Sequence, residues 1–552
     1  MKIDNITKTA PRKQISNLDT IPFYDRSLVD YEKYQQYISH AGVKYSMSVH
    51  ATRGCPYRCF YCDVYKTTLH HFRRSVENIF EEVKLIASMG IKRIEFIDDI
   101  FNVKAKDFKA FFRLVLKHKL KLNFYFPTAL KGDLLDKEGI DLMVEAGATG
   151  VNISLESASP RLQTVMRKYL NIDKFYENAR YITEKYPHVI LGVNAMHGFP
   201  TETEKEAMLT LDFFKSLKWI HFPYFVTVRA FPNTELEKFA LEQGISKEVI
   251  RKSADLSYED VAPSMNFTQE FTRGIKAVFL KDYVLNKERL LSVLPHQMKS
   301  FCADELNQKY NDYFPRRIKT IDDFLKLARI DKSELKVEKC LEEKEIIIQN
   351  MNKKIKEKFP TKKKNSDAMK VLFMNMAAYF SEDTDSQERV LLEPPLGLIA
   401  LQTYLNNQFN EKIDGKIVKS RLDFDGYQNM VDMINDYKPD VICISVMSFY
   451  KNFVHRAVKF IREQGIEIPI FIGGPYPTGD YENVLKDENI DICILGEGEV
   501  TLTELVGSML NNGYNLPSQD ELKQIPGIAF REKQIPESTQ FNKKNNTDQI
   551  NL

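Results

Sequence analysis

Three cysteines, Cys55, Cys59 and Cys62, fall within eight residues of a 552-residue chain. The other four stand singly at Cys302, Cys340, Cys443 and Cys493. Thiolates are soft metal ligands. Three on one short loop can hold three irons of a cubane cluster and leave the fourth open. An open coordination position is what a catalytic metal keeps and a structural site closes. A structural zinc would ask for a fourth ligand, for which His70 and His71 are the only nearby candidates. An odd cysteine count with one tight trio is not a disulfide framework. Cys443 in VICISV and Cys493 in DICIL sit in apolar runs, where a thiol serves as a small buried hydrophobe.

Composition narrows the setting. Lys and Arg number 78 against 76 Asp and Glu, so the formal net charge of +2 argues against a general polyanion binder. Apolar residues at 43% and charged residues at 28% are ordinary for a globular protein. No eighteen-residue apolar run suggests a membrane span, and MKIDNITKTAPRK lacks the apolar core of a signal peptide. The expectation is a cytoplasmic protein with no membrane partner, of two or three domains.

The cysteine loop needs a scaffold. From residue 46 onward, short apolar runs (SMSVHAT, RIEFI, LNFYF, GVNISLE, VILGVNAM, FPYFVTVRAF) alternate with amphipathic stretches such as VENIFEEVKLIASMG. Strands alternating with helices imply parallel βα units, and six such units make a partial (β/α)6 barrel over 46–240. Residues 1–45 read as a connector, 241–330 as a helical extension, and 331–368 as a charged linker. A second α/β unit, a doubly wound Rossmann-like parallel sheet, is expected over 369–540, with a tail at 541–552. The lysine run before residue 368 lacks interleaved aromatics, so no nucleic-acid partner is expected.

The spacing CxxxCxxC in RGCPYRCFYC resembles the signature of the radical S-adenosylmethionine (SAM) enzymes. The resemblance extends through FIDDIF (96–101), VNISLESASPRLQTVMRK (151–168), VNAMHGFPTETEKE (193–206) and RAFPNTELEKFA (229–240). It implies a 4Fe-4S cluster on the three cysteines and SAM chelated to the open iron. It also implies a deoxyadenosyl radical on reduction and an external electron donor such as flavodoxin or ferredoxin. Tyr61 would border the adenine, and Asp98, Glu156 and Arg167 would contact SAM. Residue chemistry leaves Asp98 and Asp99 open as a helix N-cap pair, and Arg167 open as a solvated helix residue.

In the second unit, glycine-rich turns stand at strand ends: Gly473-Gly474-Pro475 and Gly496-Glu497-Gly498. With Leu396 and Gly397 in PPLGLIAL, and Ser445 and Ser448 in DVICISVMSF, they resemble the cobalamin-binding domain that accompanies many radical SAM enzymes. A flavodoxin-like flavin site is the alternative. The Asp-x-His-x-x-Gly motif that supplies a histidine to cobalt is missing. His455, the lone histidine of this half, lies in a helical pattern.

The familiar domain order is reversed here. ISNLDTIPFYDRSLVDYEKY (15–34) still looks like the connector that normally leaves the cobalamin domain. Phe530 is therefore expected near Leu18 to Phe23, with the two carboxyl-end faces opposed. The resemblance implies a cobalamin-dependent methyltransferase acting on an unactivated carbon or phosphorus of a small molecule or peptide. The alternatives are a non-methylating rearrangement or cyclisation, and a barrel with a non-catalytic docking or sensor domain. Methylthiotransferases need a further cysteine trio upstream, and residues 1–54 hold no cysteine.

Overall fold

A computed structural model describes residues 6–532 apart from 65–67, 69, 255–263, 315–317, 338, 361–362, 378 and 384–391. The expected tail at 541–552 lies outside the described residues. Six strands run parallel in chain order: Ser46–Val49, Arg93–Phe96, Asn123–Leu130, Ala148–Glu156, Ile190–His197 and Phe222–Thr227. The first five are each followed by helix whose apolar stripe covers the sheet. Val76–Ser88 buries Ile79, Phe80, Val83 and Ile86 and is capped by the Ser75 side chain. Glu204–Ser216 starts on a capping box of Thr203 and Glu206. Along Ala148–Glu156, Val151, Ile153 and Leu155 are buried toward the helices, while Asn152 and Ser154 on the other face are less so. That alternation is the two-residue period of a strand with one apolar face.

The helical extension joins the two edges of this open barrel. Arg93 pairs with Glu305, and the Lys44 backbone amide donates to Glu305 at 2.6 Å. On the far edge the Tyr313 hydroxyl donates to the Pro223 carbonyl at 2.7 Å. The expected charged linker is corrected in part. Leu335, Met351 and Ile355 are buried in the barrel's apolar core, so this segment packs on the barrel instead of crossing solvent. Its helix Met351–Lys358 has an apolar stripe of only two buried side chains, too thin to show through the lysines around it.

The second sheet has seven strands. Ile413–Lys419, Met369–Asn375, Val441–Ser445, Ile470–Gly473 and Ile492–Ile494 lie side by side in that order and parallel. Ile528–Arg531 adds antiparallel, and Ile6–Lys8 adds antiparallel outside it. Among the five parallel strands the first in chain order, Met369–Asn375, lies between the second and the third. The reversal of strand order there opens a crevice at the strand carboxyl ends. Two strands are illegible in the sequence. Ile413–Lys419 (IDGKIVK) is an edge strand with alternating charge, and Ile6–Lys8 comes from the opposite end of the chain.

Residues 1–45 therefore do more than connect. Thr7 pairs with Phe530, Thr9 N donates to the Ile528 carbonyl at 3.0 Å, and Gly527 N donates to the Ala10 carbonyl at 2.8 Å. Tyr24 shares an apolar cluster with Phe530, and Ile21 and Leu28 pack against it. Among the described residues no helix is long and apolar enough to cross a membrane. Deleting residues 1–10 removes several backbone hydrogen bonds worth about 0.5–1.5 kcal/mol each. Urea unfolding should show the cobalamin-side transition weakened by about 2–4 kcal/mol and the barrel transition in place. Equal losses in both would contradict this assignment of the strand.

Candidate active site

The first barrel strand leads into Thr52–Arg53, which pairs antiparallel with Phe72–Arg73 and starts the cysteine loop. Asp98, at the end of the neighbouring strand, roots that loop. Its Oδ1 accepts from Ala51 N at 2.8 Å, from Thr52 N, and from Thr52 Oγ1 at 2.7 Å. Burial pushes its carboxyl up to about 6. Asp98, expected at SAM, thus spends one oxygen holding the loop, and Oδ2 is buried without a partner. Asp99 Oδ2 accepts from Gly54 N at 3.2 Å. Gly54 has φ +77°, and a Cβ there would run into the His70 carbonyl, so only glycine serves. At the other end of the loop, Phe60 N donates to Met166 O at 3.1 Å and Leu236 N to Phe60 O at 3.0 Å. The Phe60 ring is buried in a cluster with Met166, Phe199 and Leu236.

Burial pushes the Cys55 thiol up to about 11 and Cys62 up to about 12, and neighbouring thiolates raise both further. Three mutually repelling thiolates are stable here only against a multivalent cationic centre. Among the described residues no three metal-binding side chains converge on one ion position. The donor set fits a cluster, which spreads three sulfurs over three irons.

Beside the loop, Glu156 Oε1 accepts from Lys168 Nζ at 2.8 Å and from the Tyr61 hydroxyl at 3.3 Å. Glu156 has φ +67°, a conformation uncommon outside glycine and held here by these partners. Tyr61 and Glu156 are thus brought together. Arg167 is not: it pairs with Glu235 at 2.6 Å on a half-exposed surface. The tight turn after Pro160–Val165, with positive φ at Arg167 and Tyr169, turns Lys168 inward instead. The sequence offers two adjacent cations and no signal for choosing between them. Lys131, held by Asp133 at 2.7 Å, is a second buried cation that the sequence did not single out.

A cavity of about 390 Å³ separates this loop from the second sheet. His50, Arg53, Gly54 and Asp99 line the barrel side. Opposite stand Leu396, Gly397, Ser445, Gly473, Gly474, Pro475, Gly496, Glu497 and Gly498. Ser448 is absent from this wall; it lies in the short turn Ser448–Tyr450 beyond the strand end. A Cβ at Gly397 would meet nothing within 4 Å, so the protein's own packing does not require glycine there, whereas Gly496 has φ +74°, a conformation that itself favours glycine. A large ligand approaching the backbone does require it at Gly397, and the wall fits a corrin in that sense.

Glu497 lines the cavity and also engages the barrel side. It pairs with Arg53 at 3.5 Å and accepts from Ile15 N at 3.0 Å, while Arg53 also pairs with Glu499. His455 is outside the cavity wall. Its Nδ1 pairs with Asp487 at 2.6 Å and its Nε2 with the Tyr476 hydroxyl at 3.0 Å, so both ring nitrogens are engaged. His197 is packed against Phe225 at the barrel's helix side.

The Radical SAM superfamily model matches residues 49–214, and the B12 binding domain model matches residues 388–506. This chain belongs to the cobalamin-dependent radical SAM enzymes. Their cofactors are SAM, a 4Fe-4S cluster and cobalamin, and in this chain the radical SAM domain comes first.

Among curated proteins, the chain is 28% identical over 174 residues to tRNA-2-methylthio-N(6)-dimethylallyladenosine synthase of Pseudothermotoga lettingae. That match covers 30% of this chain and 40% of that protein. It is 25% identical over 288 residues to threonylcarbamoyladenosine tRNA methylthiotransferase of Aquifex aeolicus, covering 51% and 64%. The chain spans less than two thirds of either relative's length. Among solved structures, the methyltransferase TsrM from Kitasatospora setae with cobalamin and a 4Fe-4S cluster bound aligns at TM-score 0.34. Identity is 23%, over 38% of each chain. The cobalamin-dependent enzyme OxsB aligns at TM-score 0.34 and 15% identity, over 57% of this chain and 54% of that one.

Four outcomes are expected of this radical SAM enzyme. Anaerobic reconstitution should load about four irons per chain. Cys59→Ala should lose the cluster absorbance, while His455→Ala should leave the visible spectrum of bound cobalamin unchanged. Arg53→Ala strands two carboxylates at the domain boundary, a loss of roughly 3–5 kcal/mol for a buried pair. Cobalamin retention on gel filtration should then fall while iron content holds. Full cobalamin retention in that variant would show that the pair does not hold the domains together.

Proposed function

We propose that this enzyme is a cobalamin-dependent radical SAM methyltransferase acting on an unactivated carbon or phosphorus of a small molecule or peptide. The observation that carries the reading is the single cavity whose walls are the cysteine loop's root on one side and the Gly473 and Gly496 turns on the other. A methyl group moves only between centres held a few ångströms apart, and this arrangement places both carboxyl-end faces on one space. When bound, the cluster with SAM supplies a hydrogen-abstracting radical and cobalamin supplies a transferable methyl group.

The chain's residues position and insulate. Asp98 fixes the root of the cysteine loop. Lys168 holds Glu156 against Tyr61, and Arg53 locks the loop to the second domain through Glu499. With both His455 nitrogens occupied, no histidine of this half reaches the cavity, in keeping with a cobalt that carries no protein imidazole. A flavodoxin- or ferredoxin-type donor would supply the electron.

Methylthio transfer, the chemistry for which the curated relatives are named, asks for a second set of cluster cysteines ahead of the barrel. Here residues 1–45 hold no cysteine, and Ile6–Lys8 joins the cobalamin-side sheet. Turnover with methyl-labelled SAM is the test. Deoxyadenosine, S-adenosylhomocysteine and a labelled product should appear together. Deoxyadenosine with no label transferred would favour a rearrangement or cyclisation.

A further inference from the structure

The cysteine loop is closed by its own two ends. Thr52–Arg53 leads into it and Phe72–Arg73 leads out, and the two pair antiparallel with Thr52 opposite Arg73. Cys55, Cys59 and Cys62 lie between them. A two-stranded ribbon this short is not stable by itself. Both of its strands are fastened to one turn, at the end of the neighbouring barrel strand Arg93–Phe96. On the ingoing side Asp98 accepts from the Thr52 amide, and the Thr52 hydroxyl is shared between Asp98 at 2.7 Å and the Ile100 carbonyl at 3.1 Å. On the outgoing side Arg73 Nη1 donates to the Phe101 carbonyl at 2.6 Å, and the guanidinium lies 4.5 Å over the Phe101 ring.

That one bond leaves most of the Arg73 head unused. The side chain is 6% exposed, and Nε and Nη2 are buried with no hydrogen-bond partner among the described residues. Its ion pair with Asp107 is long, at 3.9 Å. Burial pulls the guanidinium below its usual range, and Asp98 opposes this more strongly than Asp107 does. In the other direction, burial pushes the Asp98 carboxyl up, and Thr52 and Arg73 hold it down. Asp98 Oδ2 and His71 Nε2 are also buried without partners among the described residues. Polar atoms at that depth are nearly always satisfied, by protein or by ordered water. One water accepting from the guanidinium and donating to Asp98 Oδ2 and His71 Nε2 would satisfy the group together.

We propose that Arg73 is a positioning residue for the cluster: it fastens the outgoing strand of the cysteine loop to the Asp98–Phe101 turn, and it supplies the counter-charge to Asp98, which fastens the ingoing strand. A neutral side chain at this position leaves Asp98 an uncompensated buried carboxylate and the Phe101 carbonyl without its donor. The outgoing strand then loosens, and the three thiols no longer keep one fixed spacing about the open iron. Arg73 acts on the cluster only through the loop. Its role is the same whether the enzyme methylates its substrate or rearranges it.

The test is the rate at which the ferrous chelator ferrozine, under reductant, strips iron from the anaerobically reconstituted full-length protein. It is read alongside the electron paramagnetic resonance spectrum of the reduced cluster before and after SAM is added. Arg73→Gln should lose iron at least about ten-fold faster than the unaltered protein, as expected where a buried charge loses its partner. Its spectral response to SAM should weaken. Arg73→Lys keeps the charge and should restore both the slow iron loss and the response. Asp98→Asn should also speed the loss, and adding Arg73→Gln to it should change the rate by less than about two-fold, because the two residues belong to one linked contact. Bound cobalamin should stay constant throughout. An unchanged rate in Arg73→Gln, no rescue by Arg73→Lys, or two effects that simply multiply would overturn the role. If Arg73→Gln yields no folded protein, Arg73→Lys decides against Asp98→Asn: equally fast iron loss in both would also overturn it.

Discussion

The arrangement of this enzyme depends on one largely buried ion pair between its domains. Arg53 stands at the start of the cysteine loop, two residues ahead of Cys55, and Glu497 and Glu499 lie at the start of the helix Gly498–Asn511 that follows the strand Ile492–Ile494. The Arg53 side chain is 15% exposed and that of Glu499 is 6% exposed, so neither charge has much water to fall back on. An uncompensated charge at that depth costs more than the pair gains, which makes the contact a strong specifier of geometry. Because the pair joins the two ligand-binding ends, any change in domain docking is felt first at the cluster loop and the corrin wall.

Around that pair, the same connector touches both domains. Residues 6–10 finish the second sheet, Ile15 N reaches Glu497, Gln14 accepts from His70 N, and Asp19 accepts from Ser75 N. Asn233 on the barrel donates to the Gly479 carbonyl on the other side. Further out, Lys33 pairs with Asp423 and His40 with Glu393. Docking is thus spread over polar contacts at the rim with one desolvated pair at the centre. The reversed domain order does not disturb it, because the chain's amino-terminal strand lies where the carboxyl end of the cobalamin domain would otherwise continue into the connector.

The carboxylates near the cluster loop divide into two kinds. Asp98 and Glu156 are each committed to protein partners, Asp98 to backbone amides and Glu156 to Lys168 and Tyr61. Asp99 faces the cavity with one oxygen on Gly54 N. This gives the loop a rigid root and a polar wall beside it, and the buried cations Lys168 and Lys131 act on the Cys59 thiol. Preorganisation of this sort is what a reactive centre needs, since the donors do not reorganise when the cofactors arrive.

What the sequence determined by itself was chemistry carried by short spacing. Cys55, Cys59 and Cys62 lie on one loop whatever the rest of the chain does, and the glycines at 473, 474, 496 and 498 mark backbone that must stay bare. The six parallel strands were also legible, because their alternation of apolar runs and amphipathic helices is local. Three things were decided only by tertiary structure. Ile6–Lys8 is too short to signal a strand and becomes one because Ile528–Arg531 offers an open edge. The choice of Lys168 over Arg167 follows from a turn whose positive φ values no residue type announces. The pairing of Glu497 with Arg53 joins residues more than four hundred positions apart. Local spacing sets which groups exist on a loop or a strand end. Which way each one points, and what it meets there, is set by long-range packing that brings distant segments into contact.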